Sequence, residues 1–449
     1  MMAWQKISGG VTAPKGYRST GIIAGLKASG LPDLALIVSD VDAIAAGVFT
    51  TSQTKAPVVD YCQERLQSKQ STRAILCNAG QANAATGAQG MLDALECAQL
   101  IAQALTISSD LVLLASTGVI GQRNKMEAIR SAIPNLVTSL SENGSDATAR
   151  AICTTDLVTK SIALETMIGD RPVRIGGIAK GSGMIHPNMA TMLSFITCDA
   201  AVSPQIWQQM LSRAADRSFN QITVDGDTST NDTLLALANG LSRTPAITEM
   251  GAEAETLEAM LTEVCTYLAK SIARDGEGAT CLIEVQVSGA INDASARRVA
   301  KTIAGSSLVK AAIFGRDPNW GRISAAAGRA EVPFEQEHLQ IKLGDFLMMQ
   351  NGQPQPFDRA AASNYLKQQA EASTLPCPIG SQVSAEISHE LMLIEGNHPV
   401  TFDRGAPHTQ FVNHPVMILV SIGNGSGTGQ AWGCDLSYDY VKINAEYTT

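Results

Sequence analysis

Short apolar runs and helix-spaced apolar positions alternate along the first quarter of the chain. Residues 34–38 and 43–51 are apolar and bounded by turn residues, which predicts two buried strands. Residues 73–77 predict a third strand, which leads into a loop of small residues over 78–87. Apolar residues then recur at helical spacing over 91–105. This stretch therefore predicts a strand, a loop and a helix in succession.

The same order recurs further along the chain and indicates an α/β fold. We predict a strand over 111–115, a loop over 116–121, a helix over 125–140, two strands that turn at 169–171, and a glycine-rich segment, 176–190, that enters an apolar strand at 191–197. The later elements are predicted helices over 205–217, 257–274, 294–304 and 364–372, a strand over 281–287, and short strands after 337. The predicted fold class is α/β, with mixed sheets layered with helices.

Composition narrows the class of protein. The 449 residues give a prior of two or three folding units, and 45% hydrophobic with 17% charged residues is typical of a compact globular chain. The net charge is −9, and the sequence contains no acidic or basic block. We therefore expect no nucleic-acid partner. No apolar run approaches the roughly 20 residues that span a bilayer. Residues 1–6 have no signal core, so we expect no membrane partner and a cytoplasmic location.

Cysteine and histidine usage argues against a metal site. The nine cysteines are an odd number without a Cys-x-x-Cys pair, which favours reduced thiols. The six histidines lack a His-Glu-x-x-His pattern. The glycine-rich stretch 423–429 has neither a Walker lysine nor dinucleotide-binding spacing. We therefore expect no metal and no cofactor.

Thr191 is the candidate nucleophile because it begins an apolar strand directly after a glycine-rich segment. If the Ala190–Thr191 bond were cut, Thr191 would gain a free α-amine with a pKa near 8, suited to act as base for its own hydroxyl. Taken alone, the pattern is more typical of a glycine-rich turn that enters a core strand. Both interpretations fit the residues.

A family resemblance favours the first interpretation. Residues 180–193 read Lys-Gly-Ser-Gly-Met-Ile-His-Pro-Asn-Met-Ala-Thr-Met-Leu, which resembles the self-processing segment of the arginine-biosynthetic ornithine acetyltransferases, the bifunctional glutamate N-acetyltransferases. Six further segments resemble the family in its order: 46–51, 116–121, 224–232, 274–280, 317–323 and 441–449. The resemblance therefore spans the chain.

The resemblance implies a fold similar to that of the N-terminal-nucleophile enzymes and self-cleavage at Ala190–Thr191. The products would be an alpha chain, 1–190, and a beta chain, 191–449, assembled as a heterotetramer of two alpha and two beta chains. The implied reaction moves acetyl from N2-acetyl-L-ornithine to L-glutamate by a ping-pong route through acetyl-Thr191. Whether acetyl-CoA also serves as a donor substrate stays open.

The resemblance also implies the site residues. Thr117 and Gly118, predicted on a loop after a buried strand, would form the oxyanion hole. The implied substrate-binding residues are Thr154, Lys180, Thr191, Glu277, Asn444 and Thr449, although the pattern does not separate Thr154 from Thr155. Each has an ordinary alternative, since a lone Lys or Glu is usually solvated and terminal residues usually fray.

Two other functions compete with the acetyltransferase. A self-processing aminopeptidase would hydrolyse the acyl-enzyme, and a binding protein would carry out no chemistry at all. Lys180 together with Glu277 suits an amino-acid acceptor and favours transfer over hydrolysis. The intact Ala190–Thr191 pair disfavours the non-catalytic alternative.

Overall fold

The first β-sheet organises the amino-terminal half of the chain. A computed structural model describes residues 4–186, 192–373 and 414–446. Nine described strands form this sheet: β1 (Gln5–Ile7), β2 (Tyr17–Ile22), β3 (Leu34–Phe49), β4 (Ser71–Gln81), β5 (Val112–Val119), β6 (Lys160–Ile168), β7 (Arg171–Lys180), β8 (Leu193–Cys198) and β10 (Thr233–Ala238). Their order is β1-β6-β7-β8-β10-β3-β4-β5, with β2 paired to β3. The sheet is mixed, because β8 is parallel to β10 and β4 to β5, whereas the other pairs are antiparallel.

A second mixed sheet organises the carboxyl-terminal half. Its described strands are β9 (Ile222–Thr223), β11 (Leu282–Ala290), β12 (Gln340–Leu343), β13 (Phe346–Gln350), β14 (Gln353–Pro354), β15 (Val416–Ser421) and β16 (Gly427–Cys434). Their order is β14-β13-β12-β15-β11-β16-β9. Alternation along β11 turns Leu282 towards one hydrophobic core and Ile283 towards another, so both faces of this sheet are covered.

Helices cover both sheets. The described α-helices are α1 (Pro57–Ser68), α2 (Gly87–Leu105), α3 (Met126–Thr138), α4 (Ser145–Ile152), α5 (Pro204–Arg217), α6 (Ala252–Arg274), α7 (Asp293–Ala304), α8 (Ser307–Phe314), α9 (Trp320–Gly328), α10 (Arg359–Ala372) and α11 (Tyr438–Glu446). Short 3-10 helices lie at Gly10–Thr12, Ser109–Leu111, Phe219–Gln221 and Gln336–His338. Helices α1 to α4 pack against the first sheet, α5 and α6 pack against it through a separate core, α6 also contacts the second sheet, and α7 contacts β11 and β16.

The predicted fold class, α/β with mixed sheets layered with helices, is confirmed. Periodicity located α2, α3, α5, α6, α7 and α10 within a few residues of their observed ends. It missed α1, α4, α8, α9 and α11, several of which are only eight or nine residues long. Strands also run further than predicted, because β3 is continuous across 34–49 despite an irregularity in its pairing after Val38.

The prediction of a loop over 116–121 is wrong for residues 116–119, which lie in a strand. Strand β5 continues to Val119, so Thr117 and Gly118 are strand residues paired with Ala79 and Gly80 of β4. Parallel pairing with β4, which itself continues into the small-residue stretch, extends both strands beyond their apolar runs. Small polar residues in these ends hid the strand from the hydrophobic pattern.

Two further features bear on the expected location and chemistry. No helix in the described ranges is both long and apolar enough to cross a membrane. The eight cysteines within these ranges are buried free thiols, and Cys377 lies outside the described residues.

Candidate active site

A cavity of about 290 Å³ lies where strands β7, β8 and β10 have adjoining ends. Lys180 at the end of β7 pairs with Leu193 at the start of β8, and Leu193 pairs in turn with Thr233 at the start of β10. Six of the residues that the sequence predicted for the site line this cavity: Thr117, Gly118, Thr154, Lys180, Glu277 and Asn444. These six residues, from five separate stretches of the chain, thus converge on one small space.

Three predicted residues, Ala190, Thr191 and Thr449, lie outside the described residues. The chain is described again from Met192, which is bonded to Thr191 and lines the cavity with Leu193. Thr155 lines the cavity as well as Thr154, but it is the Thr154 hydroxyl that accepts a hydrogen bond from Lys180 Nζ.

Lys180 is the cation of the cavity. Its side chain is only 9% exposed, and its Nζ donates to Thr154 Oγ1 at 2.7 Å and to Thr117 Oγ1 at 3.5 Å. Because an ammonium group can only donate, the Thr117 hydroxyl hydrogen is left to point elsewhere. The arrangement therefore leaves the Thr117 hydroxyl available as a donor.

Glu277 is one of two carboxylate residues that line the cavity, the other being Asp232. The backbone N–H of Glu277 donates to the carbonyl of Ser182 at 3.2 Å, and Asn444 Nδ2 donates to Glu277 Oε2 at 2.9 Å. Gly183 lies directly against the carboxylate, since a Cβ built on Gly183 would approach the Glu277 carboxylate carbon to 2.5 Å. The missing side chain of Gly183 thus leaves room for the carboxylate at the cavity wall.

The end of β5 requires glycine. Gly118 has φ +128°, and a Cβ there would lie 2.3 Å from the carbonyl carbon and oxygen of Gly80, its partner on β4. A larger residue would push the two strand ends apart. Close contact between the strands therefore fixes the position of Thr117 and Gly118 at the cavity.

A buried charge cluster lies directly behind the cavity. Lys160 Nζ lies 2.6 Å from Asp156 Oδ1 and 2.6 Å from Asp275 Oδ2, and all three side chains are at most 1% exposed. Asp156 Oδ2 also lies 3.9 Å from Lys180 Nζ. Reasoning from the sequence missed this cluster, because residues four apart face each other on a helix and this segment has no helical pattern.

Asn231 connects the cavity wall to β5. Its side-chain Nδ2 donates to the carbonyls of Ala82 and Ser116 at 2.6 and 2.8 Å. Asn231 was noticed only as part of the segment 224–232 and was given no role. Both carbonyls lie next to residues that line the cavity, so Asn231 ties the loop before β10 to the end of β5.

Asp225 holds the segment that leads towards Ala190. Its two carboxylate oxygens accept from the backbone N–H groups of Met184 and Ile185 at 2.6 and 2.9 Å. Val224 N donates to Ile185 O at 2.6 Å, and Thr228 Oγ1 donates to His186 O at 3.0 Å. The polar run after β9 thus fixes residues 184–186 by their backbone.

The cavity presents a cation, Lys180, and two carboxylates, Glu277 and Asp232, to a ligand. Lys180 can pair with a carboxylate, and Glu277 with an ammonium group, so the pair suits a zwitterionic amino acid. In the described part of the chain, no group of three or more His, Cys, Asp or Glu side chains is arranged to hold a metal ion.

Comparison with known proteins identifies the family. The model of the ArgJ family matches residues 18–449. The chain belongs to the ArgJ family. An arginine biosynthesis bifunctional protein ArgJ 1 from Nostoc sp. is 71% identical over the whole of both chains. A chloroplastic ArgJ protein from Ricinus communis is 53% identical, covering 99% of this chain and 87% of its own.

Solved ArgJ structures are similar over shorter stretches. An ArgJ crystal structure from Bacillus halodurans is 40% identical with a TM-score of 0.45, covering 56% of this chain and 98% of its own. An ornithine acetyltransferase from Mycobacterium tuberculosis, crystallised with ornithine, is 37% identical with a TM-score of 0.39, covering 42% and 100%. Membership of the ArgJ family confirms the predicted enzyme class, an acetyltransferase of arginine biosynthesis.

The contact between Gly183 and Glu277 generates a prediction. Gly183→Ala places a methyl group 2.5 Å from the Glu277 carboxylate carbon, so the carboxylate must move away. We expect weaker binding of an amino acid with a free ammonium group, by about tenfold in calorimetry. The matched control is Gly251→Ala, because a Cβ there meets nothing within 4 Å and φ is an ordinary 179°. Equal affinities in the two variants would contradict the placement of Glu277.

Proposed function

We propose that this ArgJ-family enzyme transfers acetyl from N2-acetyl-L-ornithine to L-glutamate through an acetyl ester on Thr191. The observation that carries the proposal is the cavity that Lys180, Glu277, Thr117 and Gly118 line together with Met192. A zwitterionic substrate, an oxyanion and the proposed nucleophile would each have a partner in this space.

Self-cleavage produces the nucleophile. The hydroxyl of Thr191 attacks the carbonyl carbon of Ala190, and the peptide bond breaks as an ester forms to Thr191. Water then hydrolyses the ester. The products are the carboxylate of Ala190 and a free α-amine on Thr191. The bonds from Asp225 and Thr228 to residues 184–186 support this step, because they fix the chain a few residues before the scissile bond.

The acetyl transfer reuses the same hydroxyl. The α-amine of Thr191, with an ordinary pKa near 8, takes the hydroxyl proton as the oxygen attacks the acetyl carbonyl. The amide bond breaks, the proton passes to the departing amine, and ornithine leaves. The amine of glutamate then attacks the acetyl ester, regenerating the Thr191 hydroxyl and releasing N-acetylglutamate.

Thr117 and Gly118 form the oxyanion hole in this mechanism. The Thr117 hydroxyl supports the role, since Lys180 occupies its acceptor side and leaves its hydrogen free to donate. Gly118 supplies a backbone N–H at the same cavity wall. Removing one such donor typically lowers the rate by about 10²–10³.

Lys180 and Glu277 bind the two charged ends of the substrate. Lys180 meets the carboxylate, and Thr154, which accepts from Lys180, lies beside it. Glu277 meets the ammonium group and is oriented by Asn444. We assign Thr449 to the same pocket because it follows α11, which carries Asn444. Acetyl-CoA would act as an alternative donor substrate rather than a resident cofactor.

The mature enzyme consists of two chains, 1–190 and 191–449. Strands β8 and β10 belong to the second chain, yet they lie between β7 and β3 of the first. Both chains therefore share one sheet, which keeps them together without a covalent link. Two copies of each chain would form the heterotetramer.

Thr191→Ala should abolish both cleavage and transfer, because no β-hydroxyl remains to attack Ala190 or carry acetyl. A denaturing gel should show wild-type bands of about 20 and 27 kDa, and one band of 47.2 kDa for the variant. Thr191→Ser is the conservative control and should retain part of both activities. Active wild-type enzyme that runs as a single band would contradict self-cleavage.

The kinetics should be ping-pong, because the acetyl ester lets ornithine leave before glutamate enters. Initial rates at several glutamate concentrations should give parallel double-reciprocal lines. Incubation with N2-acetylornithine alone should add the mass of one acetyl group to the chain that begins at Thr191. Intersecting lines without this mass gain would rule out the covalent route.

Glu277→Ala should leave cleavage intact and raise the KM for N2-acetylornithine by about 10- to 100-fold. This range corresponds to the roughly 1.5–3 kcal/mol of a hydrogen bond to a charged group. Glu249→Ala is a matched control, since Glu249 is exposed and does not line the cavity. A KM that is the same in both variants would remove Glu277 from the site.

A further inference from the structure

We propose that Asp156 is a positioning residue, whose buried carboxylate holds Lys180 and Thr154 in the orientation that receives the substrate. The inference rests on the proposed function only in taking Lys180 and Thr154 as substrate-binding residues. Asp156 is fully buried behind the cavity and does not line it. Its effect on the substrate would therefore pass through these two neighbours.

Each oxygen of Asp156 contacts a different part of the site wall. Oδ2 accepts from the backbone N–H of Thr154 at 3.0 Å and lies 3.9 Å from Lys180 Nζ. Oδ1 accepts from the backbone N–H of Gly181 at 2.7 Å and from Lys160 Nζ at 2.6 Å. One carboxylate thus joins the segment after α4, which carries Thr154, to the end of β7, which carries Lys180.

Lys180 needs this carboxylate because its ammonium group is largely removed from water. Within the described ranges, Asp156 is the one carboxylate within 4 Å of Lys180 Nζ. The hydroxyls of Thr154 and Thr117 satisfy two of its hydrogens but carry no opposite charge. A buried ammonium that loses its charged partner is strongly destabilised and tends to change position.

Asp275 provides a natural comparison within the same cluster. It also pairs with Lys160 and accepts from the backbone N–H groups of Leu157 and Val158, at 3.1 and 3.4 Å. Within the described residues, the Asp275 side chain forms no hydrogen bond or ion pair with Lys180 or Thr154. The two aspartates therefore share burial and a cationic partner, and differ in which of them contacts the site residues.

The protonation of the two aspartates fits these roles. Burial raises the pKa of Asp275 to about 6, although Lys160 opposes this shift. Burial also acts to raise the pKa of Asp156, but the ammonium groups of Lys160 and Lys180 outweigh it and hold that pKa well below its usual value. Asp156 accordingly remains charged at neutral pH and can act on Lys180.

The test compares Asp156→Asn with the matched control Asp275→Asn in the full-length, processed enzyme. We expect Asp156→Asn to raise the KM for N2-acetylornithine and the Kd for ornithine by about tenfold or more. Asp275→Asn should change both by less than twofold. Because KM does not depend on the concentration of active enzyme, incomplete self-cleavage cannot imitate the effect. Equal increases in the two variants would overturn the proposal.

A double variant separates positioning from stability. Asp156→Asn with Lys160→Met removes one anion and one cation from the buried cluster and leaves Asp275 and Lys180, so the formal charges that remain still balance. We expect the Tm of the double variant to recover towards the wild-type value while its KM and Kd stay raised. If Asp156→Asn alone does not fold, the double variant is compared with wild type instead. Recovery of a wild-type KM and Kd would show that Asp156 only neutralises Lys160 and would overturn the proposal.

The ornithine titration distinguishes this inference from the proposed function. Wild-type enzyme that binds ornithine but transfers no acetyl would contradict the proposed reaction and leave the comparison of Kd values valid. Wild-type transfer with unchanged KM and Kd in Asp156→Asn would contradict the positioning role alone.

Discussion

The antiparallel pairing of β7 with β8 is the constraint on which the rest of the site depends. Six residue pairs, from Ile175 with Cys198 to Lys180 with Leu193, hold the two strands side by side. This pairing places Lys180 opposite Leu193, which directly follows Met192. The cation of the cavity is therefore held, through a ladder of backbone hydrogen bonds, close in sequence to the proposed nucleophile Thr191.

The second constraint is that charged groups buried behind the cavity need partners of opposite charge. Lys160, Asp156 and Asp275 lie together behind the cavity, next to Lys180 in its wall, and each charged group would carry a large desolvation cost if left alone. Their mutual attraction and the backbone N–H groups around them offset this cost. A cluster of this kind has few alternative arrangements, so it gives the cavity a rigid rear wall.

Prediction from sequence succeeded where the apolar periodicity or the order of motifs was strong. It failed where contacts between residues distant in sequence determine the structure. The apolar spacing of α6 predicts that helix from the chain alone, whereas the eight-residue α8 has too few turns to show a period. Thr117, Lys180 and Glu277 were chosen through a family resemblance, and they do meet at one cavity. Asp156 and Asn231 were missed because their roles arise from backbone groups that are distant in sequence.

The interleaved order of the first sheet has a consequence for biosynthesis. A chain that emerges from the ribosome amino-terminus first has made β7 and β3 long before residues 233–238 exist, and β10 is the strand that joins β3 to β8. Until then, both halves of the sheet expose unpaired edges, which are prone to aggregation. Translation must therefore pass residue 238 before the sheet can close. If the two halves of the sheet were expressed from separate genes, those strand edges would stay unpaired until the two polypeptides associate.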